Sequence, residues 1–233
     1  IAEEDWNVGE SGQVEIIGWL YQYYISEKHE EVVDPLHGKV VNKEDVPAAT
    51  QLFTTEWVVR YITDNSVGRY WIERNPNSAL AGELEYFIAP DSDADYKKEY
   101  IEPKQLTVFD PCVGSGHFLV YAFDVLMKIY LECGYNKKDA ARSIVENNLF
   151  GLDIDKRATQ MACFAVMMKA CSYDSRFLMR HARNNIFSIE ESDNIDEELI
   201  SYFCNGDADL TRDLTSVLNE MKGAKEYGSI IQI

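Results

Sequence analysis

At 233 residues, with 46% hydrophobic and 12% aromatic side chains, the chain is long enough to bury a substantial core. A net charge of −18 and an isoelectric point near 4.6 disfavour direct association with a phosphate backbone, which nucleic-acid binders meet with lysine and arginine. No apolar run reaches the roughly 18 to 20 residues of a membrane helix, and the N-terminus lacks signal-peptide order, so no membrane association is expected and the cytoplasm is the expected compartment.

Five cysteines, odd in number and without a Cys-x-x-Cys pair, argue against a disulfide framework or a structural zinc site and are read as buried thiols. Four histidines without a His-Glu-x-x-His pattern give no metal site. The chain starts at Ile1 rather than Met, so it is read as a piece of something longer.

From Gly12 to about Val33, the spacing of Val14, Ile17, Tyr21, Tyr24 and Ile25 predicts an amphipathic helix, broken by Asp34-Pro35 and Gly38. A polar linker follows to Ala49. A second helix is predicted from Thr54 or Thr55, either of which can cap EWVVRYITDN, with Trp57, Val58, Tyr61 and Ile62 on one side. Gly68 is expected to interrupt it, leaving a short apolar piece, RYWIE, that ends at Asn75-Pro76. The acidic tract from Pro90 to Pro103 reads as a surface connection closing the helical N-terminal part, residues 1–103.

From residue 104 to 233 the pattern changes to short apolar strands alternating with longer helices. LTVF, a helix from about His117 to Cys133, another from about Lys137 to Asn147, the strand LFGLD, and a helix from about Lys156 to Cys171 follow in order. A third strand falls within about Arg183 to Ile189 and a last helix at about Asp207 to Lys222. Such alternation predicts an α/β fold with a parallel sheet and crossover helices.

The chemistry concentrates in LTVFDPCVGSGHFL. Gly114 and Gly116 flank Ser115 where the first strand turns into its helix, allowing positive φ and close approach of a ligand. The helix from His117 points unpaired amides and a positive dipole end at this loop. A nucleoside triphosphate site would need a lysine that the loop lacks, and a dinucleotide fingerprint would need a glycine where Leu119 stands. What remains includes a small zwitterionic amino acid attached to a nucleoside, and Asp110 at the end of the first strand suits its ammonium or sulfonium region. S-adenosylmethionine (AdoMet) carries both. The bland alternative is a tight turn in which Asp110 only caps backbone amides.

NLFGLDIDKRATQMA places Asp153 at the end of the second strand, where a carboxylate reaches ribose hydroxyls, with Ile154 facing the adenine. Asp155 reads as the N-cap of the next helix. The stripe of Met161, Phe164, Met167 and Met168 is read as core.

DPCVGSGHFL resembles the AdoMet-binding signature of amino-group DNA methyltransferases, FGLDID their second signature, and QLFTTEWVVRYI the segment preceding them in the adenine-specific group. The wider text, IIGWLYQYY followed by AATQLFTTEWVVRYITDNSVGRYWIE and closing on AKEYGSIIQI, is similar to the methyltransferase of type 1 BREX phage-defence systems, the PglX family. The resemblance implies a Rossmann-like, AdoMet-dependent methyltransferase sheet, here partial, preceded by a helical segment. It also implies AdoMet as cofactor. It assigns Asp110, Pro111, Gly114, Ser115, Gly116 and Phe118 to the loop around the cofactor's methionine part, Asp153 to the ribose and Ile154 to the adenine ring. Thr54 matches the threonine near the cofactor carboxylate, while the family has Pro where this chain has Thr55. A third signature, contacting the adenine amino group, is expected near the third strand, with Asn185 and Ile186 as candidates.

Adenine-N6 transfer in that family uses Asn/Asp-Pro-Pro-Tyr/Phe to hold a flipped base. No such tetrad occurs in this chain; Asn75-Pro76-Asn77-Ser78 lacks the second proline and the aromatic residue and reads as a turn. The tetrad is expected after GSIIQI, so no catalytic residue is assigned, and the fragment is expected to bind AdoMet without methylating DNA by itself. DNA would be met mainly by the full-length protein, alongside other phage-defence proteins as partners. Two other classes stay open: a dinucleotide-dependent oxidoreductase, and a non-catalytic interaction module docking through Trp19, Tyr23 and Tyr24.

Overall fold

The computed structural model describes residues 16–33, 41–42, 45–51, 54–89, 100–190 and 195–221. Three strands, β1 (Val108–Asp110), β2 (Leu149–Asp153) and β3 (Asn185–Ser188), pair in parallel in the order β1-β2-β3. Parallel neighbours need crossover connections, and helices supply them. Between β1 and β2 run α5 (His117–Glu132), α6 (Lys137–Ser143) and a π turn over Ile144–Asn148; between β2 and β3 runs α7 (Lys156–Tyr173).

Before the sheet come α1 (Ile16–Val32), α2 (Val46–Thr50) and a long helix formed by α3 (Glu56–Thr63), a π turn over Asp64–Gly68 and α4 (Arg69–Arg74). Gly68 therefore does not end the helix. A Cβ there would lie 2.4 Å from Leu84 Cδ1, so the glycine admits a packed leucine while the helix continues through a π turn. Thr55 is the N-cap residue of α3, but its side chain makes no capping bond. The helix ends before Asn75, and Asn75 to Ser78 forms a turn, with Ser78 Oγ donating to Glu132 at 2.6 Å.

After β3 the chain forms α8 (Glu197–Cys204), capped by Asp196, and α9 (Ala208–Glu220), capped by Asp207. The first of these was not expected, because its acidic start hides the short apolar run LISYFC. Predicted features on residues 12–15, 34–40, 90–99 and 222–233, with the side chains of Ile17, Trp19 and Tyr24, lie outside the described residues. Tyr23 is 78% exposed.

One core joins both parts. Trp71, Ile72, Leu80 and Leu84 from the N-terminal part pack with Leu119, Phe123 and Leu126 of α5 and with Val166 of α7. A fully buried Asn148 anchors the approach to β1, its Nδ2 donating to Pro103 O at 2.7 Å and Leu106 O at 2.6 Å, while its Oδ1 accepts from Tyr130. The main chain of Leu106 is thereby held outside the ladder, and β1 is shorter than LTVF implied.

A second, smaller cluster holds α1 and α2 against α7: Tyr21, Ile25, Ala48 and Ala158, with Met161 beside them. Met167 and Met168 pack on the main core, but Phe164 is half-exposed, so the stripe is core only in part. The thiols also depart from expectation. Cys204 is buried, Cys163 and Cys171 are partly so, and Cys112 and Cys133 are exposed on the rims of loops.

Sheet register sorts the side chains. Phe109, Phe150 and Asn185 align, as do Leu152 and Phe187, and this row is open, with Phe109 and Phe187 each 58% exposed. Gly151 faces the other way, where a Cβ would come within 3.0 Å of Val113 and 3.2 Å of Leu119. No helix among the described residues is long and apolar enough to cross a membrane.

Candidate functional site

The carboxyl ends of β1 and β2 meet at the loop that enters α5. Val113 N donates to Leu152 O at 2.8 Å, drawing the loop across the tip of β2. Gly114 takes φ +52° and Gly116 φ +89°, the latter as the N-cap of α5. Both conformations are natural for glycine and strained for other residues.

Their surroundings differ. A Cβ on Gly114 would meet nothing within 4 Å, whereas one on Gly116 would lie 2.9 Å from Ala162 Cα. Gly114 leaves room in front of the loop; Gly116 brings α5 against α7.

Asp153 organises the loop. Its Oδ2 accepts from Gly114 N at 2.8 Å and its Oδ1 from Asp155 N at 2.8 Å, and each oxygen keeps another lone pair. Asp110, on the neighbouring strand end, accepts from Cys112 N at 3.1 Å. The amide-capping role is thus real for Asp110, but it uses only part of the carboxylate. Burial pushes the Asp110 carboxyl above its ordinary value and the Asp153 charge adds to the rise, while the Cys112 amide opposes both.

These groups border a cavity of about 440 Å³, within the range of small-molecule sites. Asp110, Pro111, Gly114, Ser115 and Phe118 line it from the loop and α5, Asp153 and Ile154 from the tip of β2, and Thr54 from the N-terminal part. Gly116 and Asn185 do not line it. Gly116 packs instead on α7. Asn185 stands at the first position of β3, at the opposite end of the strands, and its Nδ2 donates to Glu146 O at 3.1 Å and Val145 O at 3.3 Å. Ile186 is buried in the core. Both third-strand candidates are therefore structural here.

Sequence reasoning missed a wall of the cavity. Tyr21, Pro47, Thr50 and Gln51 line it from α1, α2 and the residue after α2. Tyr21 donates to Asp155 Oδ2 at 2.5 Å, while Asp155 Oδ1 accepts from Arg157 N as the N-cap of α7. Burial, with the Asp155 hydrogen bond and charge adding to it, pushes the Tyr21 hydroxyl far above the usual phenol value, so it remains a donor. The helix also crosses close to the glycine loop, since a Cβ on Gly18 would lie 2.8 Å from Ser115 Oγ. The signal was present as a glycine three residues before a tyrosine in GWLY, but helical periodicity alone does not say which face meets a distant loop.

Electrostatics narrow the ligand. The described lining carries three carboxylates, Asp110, Asp153 and Asp155, and no lysine or arginine. Such a cavity repels a pyrophosphate and favours a ligand with cationic centres. The N-terminus of α5, with its positive dipole end, offers one place for a carboxylate.

A parallel α/β sheet with an acidic, glycine-bordered cleft at its strand ends is compatible with the methyltransferase class, and sequence comparison points the same way. The family described as MmeI, DNA-methyltransferase domain, matches residues 95–199. The chain is 49% identical to the adenine-specific methyltransferase BrxX of Escherichia coli O9:H4 (strain HS) over 82% of its own length and 16% of that protein's. It is 40% identical to the adenine-specific methyltransferase PglX of Lacticaseibacillus casei (strain Zhang), over 99% of its own length and 20% of that protein's. The chain is a homologue of the adenine-specific methyltransferases BrxX and PglX, and spans about a fifth or less of their length.

Proposed function

We propose that the cavity binds AdoMet and that the segment serves as the cofactor-binding part of an adenine-N6 DNA methyltransferase of BREX-type phage defence. The observation that carries this reading is the acidic lining. AdoMet is a nucleoside bearing a sulfonium, an ammonium and a single carboxylate, so it brings two positive centres to a cavity whose described lining has three carboxylates and no lysine or arginine. The open side of Gly114 leaves space for such a ligand without a clash.

Asp110 holds the cationic end, the amides at the start of α5 receive the carboxylate with Thr54 beside them, and Asp153 accepts from the ribose hydroxyls with the lone pairs that the backbone leaves free. Ile154 lies against the adenine. The sheet is then the Rossmann-like half of a methyltransferase domain, with residues 1–103 supplying the helical wall and 104–233 the cofactor loops. AdoMet supplies an electrophilic methyl group; in the whole protein the acceptor is adenine in DNA, in the cytoplasm.

The Asn75-Pro76 turn does not serve as a catalytic tetrad, because Ser78 and the Ala79 amide are tied to Glu132 at 2.6 and 2.7 Å. Methyl transfer is accordingly a property of the whole protein. Calorimetric titration of the chain with AdoMet, S-adenosylhomocysteine and NADH tests the reading. Binding of the first two and not the third is expected; NADH binding without AdoMet binding would overturn it in favour of a dinucleotide enzyme.

A further inference from the structure

We infer that Gln51 is a ligand-binding residue of the cavity, its side-chain carbonyl accepting an N–H of the α-ammonium of an amino-acid nucleoside. The inference rests on the AdoMet reading and adds a residue from outside the glycine loop and the strand tips. Gln51 follows α2 in an extended conformation at φ −68° and ψ 122°, and it borders the cavity. Its Oε1 is shielded from solvent and has no hydrogen-bond partner among the described residues. A buried acceptor without a donor is costly, and folded proteins rarely retain one without a use.

The carboxylates of the cavity already have part of their capacity filled. Asp153 takes two main-chain amides, Asp155 takes Tyr21 and the Arg157 amide, and Asp110 takes the Cys112 amide. Gln51 Oε1 is a shielded acceptor of this lining with no donor among the described residues.

An α-ammonium brings three donors and a positive charge, and so gains most from several acceptors at once. Asp110 and Asp153 already raise the negative potential at the strand ends, and a further carboxylate close by would raise the cost of ionising Asp110. A neutral carbonyl satisfies one more N–H without that penalty. An amide therefore suits this position better than a carboxylate. The segment needs no regular structure to present it, because α2 holds the preceding turn through Thr50 Oγ1, which donates to Val46 O at 2.8 Å.

The test compares S-adenosylhomocysteine with its analogue lacking the α-amino group and with its inosine counterpart lacking the adenine 6-amino group. Each is titrated into the chain and into Gln51→Met and Gln51→Ala. Both variants are expected to bind S-adenosylhomocysteine about tenfold or more weakly. Affinity for the des-amino analogue should stay as in the unaltered chain, which also shows that the variants fold. Equal weakening for all three ligands, no weakening for any, or a loss that follows the 6-amino group would each overturn the assignment. If the unaltered chain binds S-adenosylhomocysteine while Gln51 proves indifferent, only this inference fails. If the unaltered chain binds none of the three, the AdoMet reading fails and takes this inference with it.

Discussion

The Tyr21 hydroxyl reaches Asp155 Oδ2 at 2.5 Å and so joins α1 to the first turn of α7, 134 positions further along the chain. Asp155 is also the N-cap of α7 and the residue whose amide is fixed by Asp153. One hydroxyl therefore connects the N-terminal helix to the same strand tip that organises the glycine loop. Around it the contact is small: Tyr21, Ile25 and Ala48 against Ala158 and Met161, apart from the main core. The wall of the cavity formed by α1 and α2 is held less firmly than its floor.

Tyr21→Phe keeps the ring in that cluster and removes only the hydroxyl. A loss of about 1 kcal/mol in the docking of α1 and α2 is expected, the usual net worth of such a bond. Amide exchange should accelerate in residues 16–33 and stay unchanged in α5, whose Leu119, Phe123 and Leu126 are fully buried. Equal acceleration in both regions would mean that the small cluster is not a separate unit of stability.

Asp153 has a double role in this arrangement, and its substitution separates ligand contact from loop support. Asp153→Ala removes the acceptor for two main-chain amides and for the ribose hydroxyls, and should weaken AdoMet by about 1–3 kcal/mol. Asp153→Asn is not expected to rescue it, because one carboxamide end is a donor and would face the Gly114 or Asp155 amide. Calorimetry on both variants, with circular dichroism as the check on folding, measures this. An asparagine variant with full affinity would show that one of the two amide bonds is dispensable to the site.

The two glycines of the loop should fail in different ways. Gly116→Ala combines φ +89° with a Cβ 2.9 Å from the Ala162 backbone, so a stability loss of about 2–4 kcal/mol is expected. Gly114→Ala carries only the conformational cost of φ +52°, about 1–2 kcal/mol, since its Cβ enters open space. That space is the cavity, so Gly114→Ala should lose ligand affinity out of proportion to its stability. Thermal melts and titrations of both variants check the contrast, and identical behaviour would refute the division of labour.

Much of this was legible along the chain, and the limits have physical causes. LFGLD is β2 as read, and the loop glycines take positive φ, because a βα turn imposes its chemistry on consecutive residues. What periodicity cannot convey is which distant surface a residue meets. Gly68 reads as a break, yet it is a seat for Leu84; Asn185 reads as a ligand contact, yet it ties the start of β3 to the preceding π turn. Tyr21 and Gln51 reach the site only through the packing of α1 and α2 on α7. Their neighbours in sequence say nothing of it.

The raised pKa of Asp110 gives the site a pH dependence with a definite sign. Burial first, and the Asp153 charge after it, lift the folded-state value above the ordinary 3.8. For the free protein this group contributes stability that is fully present below the unfolded value and is lost as pH rises through the folded one. A ligand ammonium favours the ionised form and draws the value back down, so binding expels a proton. Affinity for S-adenosylhomocysteine should therefore rise with pH through the raised value, by at most about tenfold per pH unit, and then level off. Asp110→Asn should bind more weakly and flatten the profile. Titrations between about pH 4 and 7 follow this directly, spanning the region in which a raised carboxyl ionises. A profile that is already flat in the unaltered chain would show that Asp110 does not face the ligand's cationic end.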